Sequence, residues 1–348
     1  MAKLRITLIA DPEIPVPPTH YGGIERIIDL LIKGLKKNGH EITLFAHRDS
    51  ITSADHFYAY PAMGQTKYDL IRNTLLISRL LINPPDVVHS FGRLAYLSAL
   101  LPFRIPKIMS YQREPTIAQV KKAIKSAAKN SMHFTGCSDY ITNQIKPFVP
   151  ANTVYNAVSM AAYQFNESIT DDAPLVFLGR IEPIKGTHTA IKVAQQVGRK
   201  LIVAGNVPKY AQGYFDLEIA PFIDQKQISY IGEVNDLQKN ELLGTASALL
   251  MPIEWNEPFG IVMAEALACG TPVIAFERGA TKEVVLNGTN GWLCRTNQDM
   301  VNAVARLNHI SRHDCRHDAE KRFSQQVLVG SFEKLYFKLI NTRLNSKT

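Results

Sequence analysis

The sequence predicts an α/β fold made of two successive domains, each a parallel sheet covered by helices. Three observations carry this expectation. The chain has 348 residues, more than one core usually organises and enough for two domains of ordinary size. Strand-like apolar runs alternate with amphipathic helical runs along its whole length, the pattern of parallel crossovers rather than of a meander. The alternation is interrupted by the acidic and polar stretch NESITDDAP at 166–174, after which a second series begins.

The first series opens with LRITLIAD at 4–11, a strand, and a Pro/Gly-rich loop, PVPPTHYGG, follows. IERIIDLLIKGLKKNG then returns its apolar residues at helical spacing until Gly39 stops it, and EITLFA supplies the next strand. Strand, helix and strand within about 45 residues fit a right-handed parallel crossover. DVVHSF, KIMSYQ and MHFTGCS read as later strands of this sheet, since short continuous apolar runs suit strands buried on both faces. In the second series LVFLGRI is a strand, THTAIKVAQQVG a helix and KLIVAG a strand, with QISYIG, ALLMPI and PVIAF repeating the theme. The tail from Ala319 to Leu339 keeps Phe323, Val327, Phe332, Leu335 and Leu339 roughly in helical phase. The expected division is therefore 1–165, 166–318 and a closing helix within 319–348 that packs across both domains.

A content of 46% hydrophobic and 20% charged residues excludes disordered and fibrous classes. The first strand ends at Asp11 before prolines rather than at a small-residue cleavage site, and no apolar stretch approaches a bilayer span. Cys137, Cys269, Cys294 and Cys315 form no CxxC pair, which argues against a disulfide framework or zinc knot and fits a reducing cytoplasm. The net charge of +8 is uneven: residues 1–150 hold 19 Lys and Arg against 11 Asp and Glu, and the remainder balances at 20 against 20. Lys121, Lys122, Lys125 and Lys129 concentrate that excess on a helix, which reads either as a solvated face or as a surface for anionic lipid at the inner face of the membrane. No nucleic-acid-reading motif accompanies the charge.

Open parallel sheets bind ligands beyond the carboxyl ends of their strands. No G-x-G-x-x-G follows either first strand, which removes the main support for a dinucleotide enzyme. GRIEPIKG instead places Arg180 and Lys185 in a loop between a strand and a helix, two cations suited to a diphosphate. In EWNEPFGIVMAEALACGTPVIAF, Glu257 precedes a turn, Glu265 lies about one turn into the following helix, and the early amides of Phe259, Gly260, Ile261 and Val262 can meet phosphate. The carboxylates then accept hydrogen bonds from hydroxyls, Glu257 on the transferred sugar and Glu265 on a ribose. In the first half His20, Tyr21, Gly22, Gly23 and Glu25 close the loop after the first strand, where paired glycines let backbone approach a pyrophosphate. His89, at the end of the strand DVV, is expected to face the cleft.

Together these segments resemble the retaining glycosyltransferase family 4, with the GT-B fold of two Rossmann-like domains facing across a cleft. YGGIE, DVVHSF, CSDYITNQI, VYNAVSMAAY, LGRIEPIKG, YIGEV and above all EPFGIVMAEALACGTPVIAF carry the resemblance, which spans nearly the whole chain. It implies transfer of a sugar from a nucleoside-diphosphate sugar to an acceptor hydroxyl. The acceptor it implies is a carbohydrate, glycolipid or small molecule, with the synthesis of surface polysaccharide, lipopolysaccharide or glycolipid as the expected setting. By position, Arg180 and Lys185 resemble the diphosphate-binding pair, Gly22 and Gly23 the glycine-rich loop, Gly260 to Val262 the phosphate-binding turn, and Glu257 and Glu265 the donor-sugar and ribose glutamates. His89 matches a histidine near the donor sugar, and Val234 a position near the base. No tightly bound cofactor is implied, and in the absence of a convincing D-x-D element a divalent metal is expected to be dispensable. Where the family has Asn-Gly-Val-Asp between domains, this chain has Asn156-Ala157-Val158-Ser159, which puts the local hinge geometry in question. The competing readings are a non-catalytic sugar-nucleotide binding protein, a sugar epimerase and a sugar phosphorylase. The last needs a lysine anchoring pyridoxal phosphate, a role for which Lys282 lacks the context.

Overall fold

The computed structural model describes residues 2–18 and 22–345, with side chains described to residue 342. It divides into two compact units, one of the chain up to Ala157 together with the segment from Gln325, the other of Val158–Ser324.

The first unit holds a seven-stranded parallel sheet in the order β3-β2-β1-β4-β5-β6-β7. Its strands are β1 (Arg5–Ile9), β2 (Glu41–Ala46), β3 (His56–Ala59), β4 (Val87–Ser90), β5 (Lys107–Tyr111), β6 (Met132–Gly136) and β7 (Ala151–Thr153). β4 and β5 are buried at every residue, as expected of central strands covered on both faces. The helix Gly23–Lys37 turns Ile27, Ile28, Leu31, Ile32 and Leu35 into the core. The chain's last helix, Gln325–Asn345, seats Val329 against Gly34, where a Cβ would come within 2.3 Å of its methyl group. Gln325 adds an amide hydrogen bond to the Leu30 carbonyl at 2.7 Å, and His40 meets Glu333 at 2.7 Å.

The second unit holds a six-stranded parallel sheet in the order β10-β9-β8-β11-β12-β13. The strands are β8 (Leu175–Leu178), β9 (Leu201–Ala204), β10 (Ile228–Tyr230), β11 (Ala248–Met251), β12 (Val273–Phe276) and β13 (Gly291–Cys294). Leu175, Phe177, Ile191, Leu201, Val203 and Leu250 form the centre of its core. The helix Arg312–Phe323 is fastened by two half-buried guanidinium groups: Arg312 donates to the carbonyls of Asn166, Gly244 and Ala246, and Arg316 to those of Tyr163 and Ala268.

The division differs from the expected one at both junctions. The first unit ends at Ala157 rather than 165, because Val158 donates to the Phe323 carbonyl at 2.8 Å and bridges Ser324, both in the second unit. The expected closing segment splits at Ser324: Phe323 packs edge-on against Phe259, and the residues from Gln325 join the first unit. Ala157, at the family's glycine position, is buried and has no left-handed backbone, so the missing glycine introduces no strain there. Three strands were not anticipated, β3, β7 and β13. All three are edge strands of three or four residues, and β3 is exposed at every one, so they carry little signal in the sequence.

Candidate functional site

In the second unit β8 and β11 are hydrogen-bonded neighbours, although β9 and β10 lie between them in sequence. The chain builds the sheet outward from β8 in one direction and then returns to extend it in the other. That reversal leaves the loops after β8 and β11 side by side without a crossover helix between them, the usual seat of a ligand in an open parallel sheet. The two motifs singled out from sequence occupy these two loops.

After β8, Arg180 pairs with Glu182 at 2.9 Å, and Glu182 also accepts the Tyr210 hydroxyl at 2.6 Å. A short turn, Pro183–Lys185, then carries Lys185 to Gly186, which caps the helix Thr187–Gln196. Gly186 has φ 74° and its hydrogen faces Pro252, where a Cβ would lie 1.9 Å from the carbonyl oxygen. This close approach ties the loop after β8 to the loop after β11, and the Glu254 amide donates to the Ile184 carbonyl at 2.8 Å alongside it.

Lys185 Nζ lies 2.9 Å from Glu257 Oε2, with the two side chains only 14% and 11% exposed. The same carboxylate oxygen accepts Trp255 Nε1–H at 3.0 Å, and the Lys185 ammonium sits 4.7 Å from the centre of the Trp255 ring. The indole thus orients both partners, one through a hydrogen bond and the other through its π face. The backbone of Glu257 is held as well: Ala280 donates to its carbonyl at 2.8 Å, and the φ of 57° at Gly279 lets that segment lie where a Cβ would be 2.5 Å from the Glu257 carbonyl oxygen.

Gly260 caps the helix Ile261–Ala268, with φ 78°. Phe259 is buried and belongs to the core, so its contribution to a ligand is confined to backbone. The amides of Ile261 and Val262 are the first of the helix and have no helical carbonyl a turn before them, which makes this end an anion-attracting one. Glu265 is buried and accepts Lys239 Nζ at 2.5 Å and the Tyr163 hydroxyl at 2.6 Å. Lys239 comes from the helix Asp236–Thr245 and also lies 5.4 Å from the Tyr163 ring. Val234, just before that helix, is half-buried.

The structure therefore brings Lys185 and Glu257 into contact, which changes how they read. In the sequence they stood as independent groups, one for phosphate and one for sugar. Each cation of the GRIEPIKG loop instead has a carboxylate partner. Glu182, Tyr210, Trp255, Lys239 and Tyr163 were missed. Glu182, Trp255 and Tyr163 lie within the quoted motifs, whereas Tyr210 and Lys239 lie outside them and only the folded chain reveals their proximity.

Gly22, Gly23 and His89 belong to the first unit. Gly22 precedes and Gly23 begins the first helix, and a Cβ on Gly22 would meet Pro18 at 2.6 Å. His20 and Tyr21 lie outside the described residues. Glu25 is buried, and loss of solvent raises its carboxyl to about 7. His89 corrects the expectation of a cleft-facing histidine. It is fully buried, with Nδ1 2.7 Å from the Tyr336 hydroxyl and Nε2 2.6 Å from Ser110 Oγ, and burial lowers its pKa to about 3. Packed among Phe91, Phe332 and Tyr336, it is a neutral core residue with both ring nitrogens engaged.

The four cysteines are buried free thiols, and burial pushes those of Cys269, Cys294 and Cys315 up to about 12. Among the described residues no cluster of His, Cys, Asp and Glu is arranged to hold a metal ion, and no helix is long and apolar enough to cross a membrane. Lys282 is exposed.

Comparison with known proteins agrees with this architecture. Residues 161–325 match the family model of glycosyl transferases group 1, and residues 21–161 that of glycosyltransferase family 4. The chain is 22% identical over 374 aligned positions to spore coat protein SA of Bacillus subtilis, with 94% of this chain and 96% of that protein covered. Among solved structures it is similar to sucrose-phosphate synthase from Thermosynechococcus elongatus, with a TM-score of 0.80 and 17% identity over 98% of this chain and 100% of the other. It is also similar to Anabaena HepE in complex with UDP-glucose, with a TM-score of 0.72 and 17% identity over 96% and 100%. At these identities the likeness to the solved structures is one of fold.

Proposed function

The chain belongs to glycosyltransferase family 4 and moves a sugar from a nucleoside-diphosphate donor to an acceptor, and on that premise we propose that it does so with retention of configuration at the site formed by Arg180, Lys185, Glu257 and Glu265. The observation that carries this reading is the Lys185–Glu257 pair held by Trp255 beside the amino end of the helix Ile261–Ala268. A cation, a carboxylate and free amide donors in adjoining loops match the three parts of the donor: diphosphate charge, sugar hydroxyls and phosphate oxygens.

In the proposed reaction the bond from the sugar's anomeric carbon to the diphosphate oxygen lengthens first, through an oxocarbenium-like state. The acceptor oxygen bonds the same face of that carbon while its proton passes to the departing phosphate. Arg180, Lys185 and the amides near Gly260 stabilise the charge growing on that phosphate, an interaction stronger in the transition state than in the bound substrate. Loss of either cation costs about 2 to 4 kcal/mol of barrier. Glu257 orients the sugar through its hydroxyls, and Glu265, set by Lys239 and Tyr163, accepts from a ribose. The acceptor is a carbohydrate, glycolipid or small molecule, and the basic excess of residues 1–150 supports encounter with an anionic one, at the inner face of a membrane where it is a lipid.

The test is a panel of uridine, guanosine and adenosine diphosphate sugars, followed by calorimetry and by donor hydrolysis. Arg180→Ala and Lys185→Ala are expected to weaken binding of every diphosphate in the panel that the wild type binds. Retention of wild-type affinity by both variants overturns the assignment.

A further inference from the structure

The first unit contains a cavity of about 630 Å³ that the donor chemistry does not use. It lies at the carboxyl ends of β4 and β5, beside the start of the first helix, so it occupies in this sheet the place where parallel sheets receive ligands. Ile24, Leu70, Leu94, Leu101 and Met109 give it an apolar wall. Its volume suits a small molecule rather than a polymer.

Two polar atoms in this wall have no hydrogen-bond partner among the described residues. Tyr111 is 7% exposed, and its hydroxyl is buried without a hydrogen bond. Arg93 Nε is buried in the same condition. Each such group carries a desolvation cost that a ligand would relieve. Burial raises the Tyr111 phenol to about 12, so at neutral pH its hydroxyl remains a donor.

The charged lining is Arg93, Arg113, Lys122 and Glu114. Glu114 accepts a hydrogen bond from the Tyr140 hydroxyl, and Arg113 reaches Asp11 only at 3.9 Å while its side chain is 67% exposed. The helix Ile117–Ser126 supplies Lys122 with Gln119, Ala123 and Ser126, three and four residues apart on one face. Its neighbour Lys121 is turned away, onto the Phe148 ring at 4.3 Å. The basic helix expected from the sequence is thus shorter and divided: it ends at Ser126, before Lys129, and of its three lysines, Lys121, Lys122 and Lys125, Lys122 alone lines the cavity.

We propose that this cavity binds an anionic amphiphile, a phosphate or carboxylate on a compact apolar body, as the sugar acceptor. The apolar wall takes the body, while Tyr111, Arg93 and Lys122 take the anion. The role of acceptor rests on the glycosyltransferase reading, whereas the binding chemistry stands on the cavity itself.

Calorimetry on the full chain tests it with octyl phosphate, against 1-octanol and inorganic phosphate, the two halves of that molecule taken separately. Octyl phosphate is expected to bind at least about tenfold more tightly than either half, the worth of a hydrogen bond to a charged group. Tyr111→Phe is expected to lose about tenfold in that affinity while its thermal stability stays level or rises, since it removes a hydroxyl with no partner. Arg93→Leu and Lys122→Gln should narrow the preference for octyl phosphate over octanol. Equal binding of octanol and octyl phosphate overturns the proposal, as does inorganic phosphate binding as tightly as octyl phosphate. A Tyr111→Phe variant that is destabilised yet keeps full affinity also overturns it.

Sedimentation with phosphatidylcholine vesicles, with and without phosphatidic acid, separates the sources. Association that needs phosphatidic acid and is lost in Tyr111→Phe assigns the amphiphile to a membrane. Binding of octyl phosphate without vesicle association assigns it to solution. Nucleoside-diphosphate binding by the same preparations keeps the two readings apart: if it depends on Arg180 and Lys185 while octyl phosphate fails to bind, the cavity assignment falls alone.

Discussion

Replacing Glu257 with glutamine should strengthen one ligand and weaken another. Lys185 and Glu257 meet at 2.9 Å with little solvent around them. At an effective dielectric of about 20 their gross attraction is about 6 kcal/mol, most of it offset by the desolvation of two charges, leaving a net coupling of about 2 kcal/mol. A diphosphate has to draw the ammonium away from that partner. Glutamine keeps the shape and an acceptor for Trp255 Nε1–H but releases Lys185, so the nucleoside diphosphate alone should bind Glu257→Gln up to about 30-fold more tightly. The added affinity that the sugar confers should fall about tenfold, because a neutral amide accepts hydroxyl hydrogen bonds less strongly than a carboxylate. The uncompensated lysine should also lower stability by about 3 kcal/mol, recovered in part when diphosphate is added. Titration of both variants with diphosphate and with the matching sugar nucleotide reads all of this. Equal weakening of the two ligands would refute the division between phosphate and sugar.

Three further perturbations separate site from scaffold. Burial raises the Glu25 carboxyl from its ordinary 4.5 to about 7 in the folded chain, so between those values the folded state holds the extra proton and stability falls as pH rises. Glu25→Gln should therefore gain on the wild type through that window, by on the order of 3 kcal/mol above it and by nothing below pH 4.5, as read by chemical denaturation across pH. His89→Leu should cost about 2 kcal/mol by stranding the Ser110 and Tyr336 hydroxyls, yet leave diphosphate affinity unchanged; a selective loss of affinity would return His89 to the site. Gly186→Ala forces a Cβ to 1.9 Å from the Pro252 carbonyl at a left-handed φ, and should lower both stability, by about 3 kcal/mol, and diphosphate affinity. A variant of wild-type melting temperature would mean that the loops after β8 and β11 are not locked together.

The parts of this chain legible in sequence are those whose physics is local. Strands such as β8 and β11 are continuous apolar runs because helices cover both faces, and the turn at Pro258–Gly260 announces a helix whose first amides are open. The position of Glu265 on that helix follows from its periodicity. Its partners do not: Lys239 is 26 residues away and Tyr163 is 102, and only the parallel order of the second sheet brings them in. His89 was misread for the same reason. Its strand-end position suggested a ligand, but its closest polar partner, apart from Ser110, is Tyr336, 247 residues on in a helix whose sequence hints only at amphipathicity.

The paired charges also bear on why a donor site would be built this way. A lysine and a glutamate at 14% and 11% exposure would each be costly to hold alone, so in the free protein each serves as the other's counterion. On the proposed reading a diphosphate without sugar takes the lysine and leaves the glutamate unpaired, whereas an intact sugar nucleotide supplies phosphate to one and hydroxyls to the other. The same contact that stabilises the empty site then penalises the spent nucleotide relative to the loaded one. Trp255 sharpens this, because it bonds the carboxylate and stacks under the ammonium at 4.7 Å, holding both groups in place after they separate. Discrimination between product and substrate would follow from the pair, without any movement of the backbone.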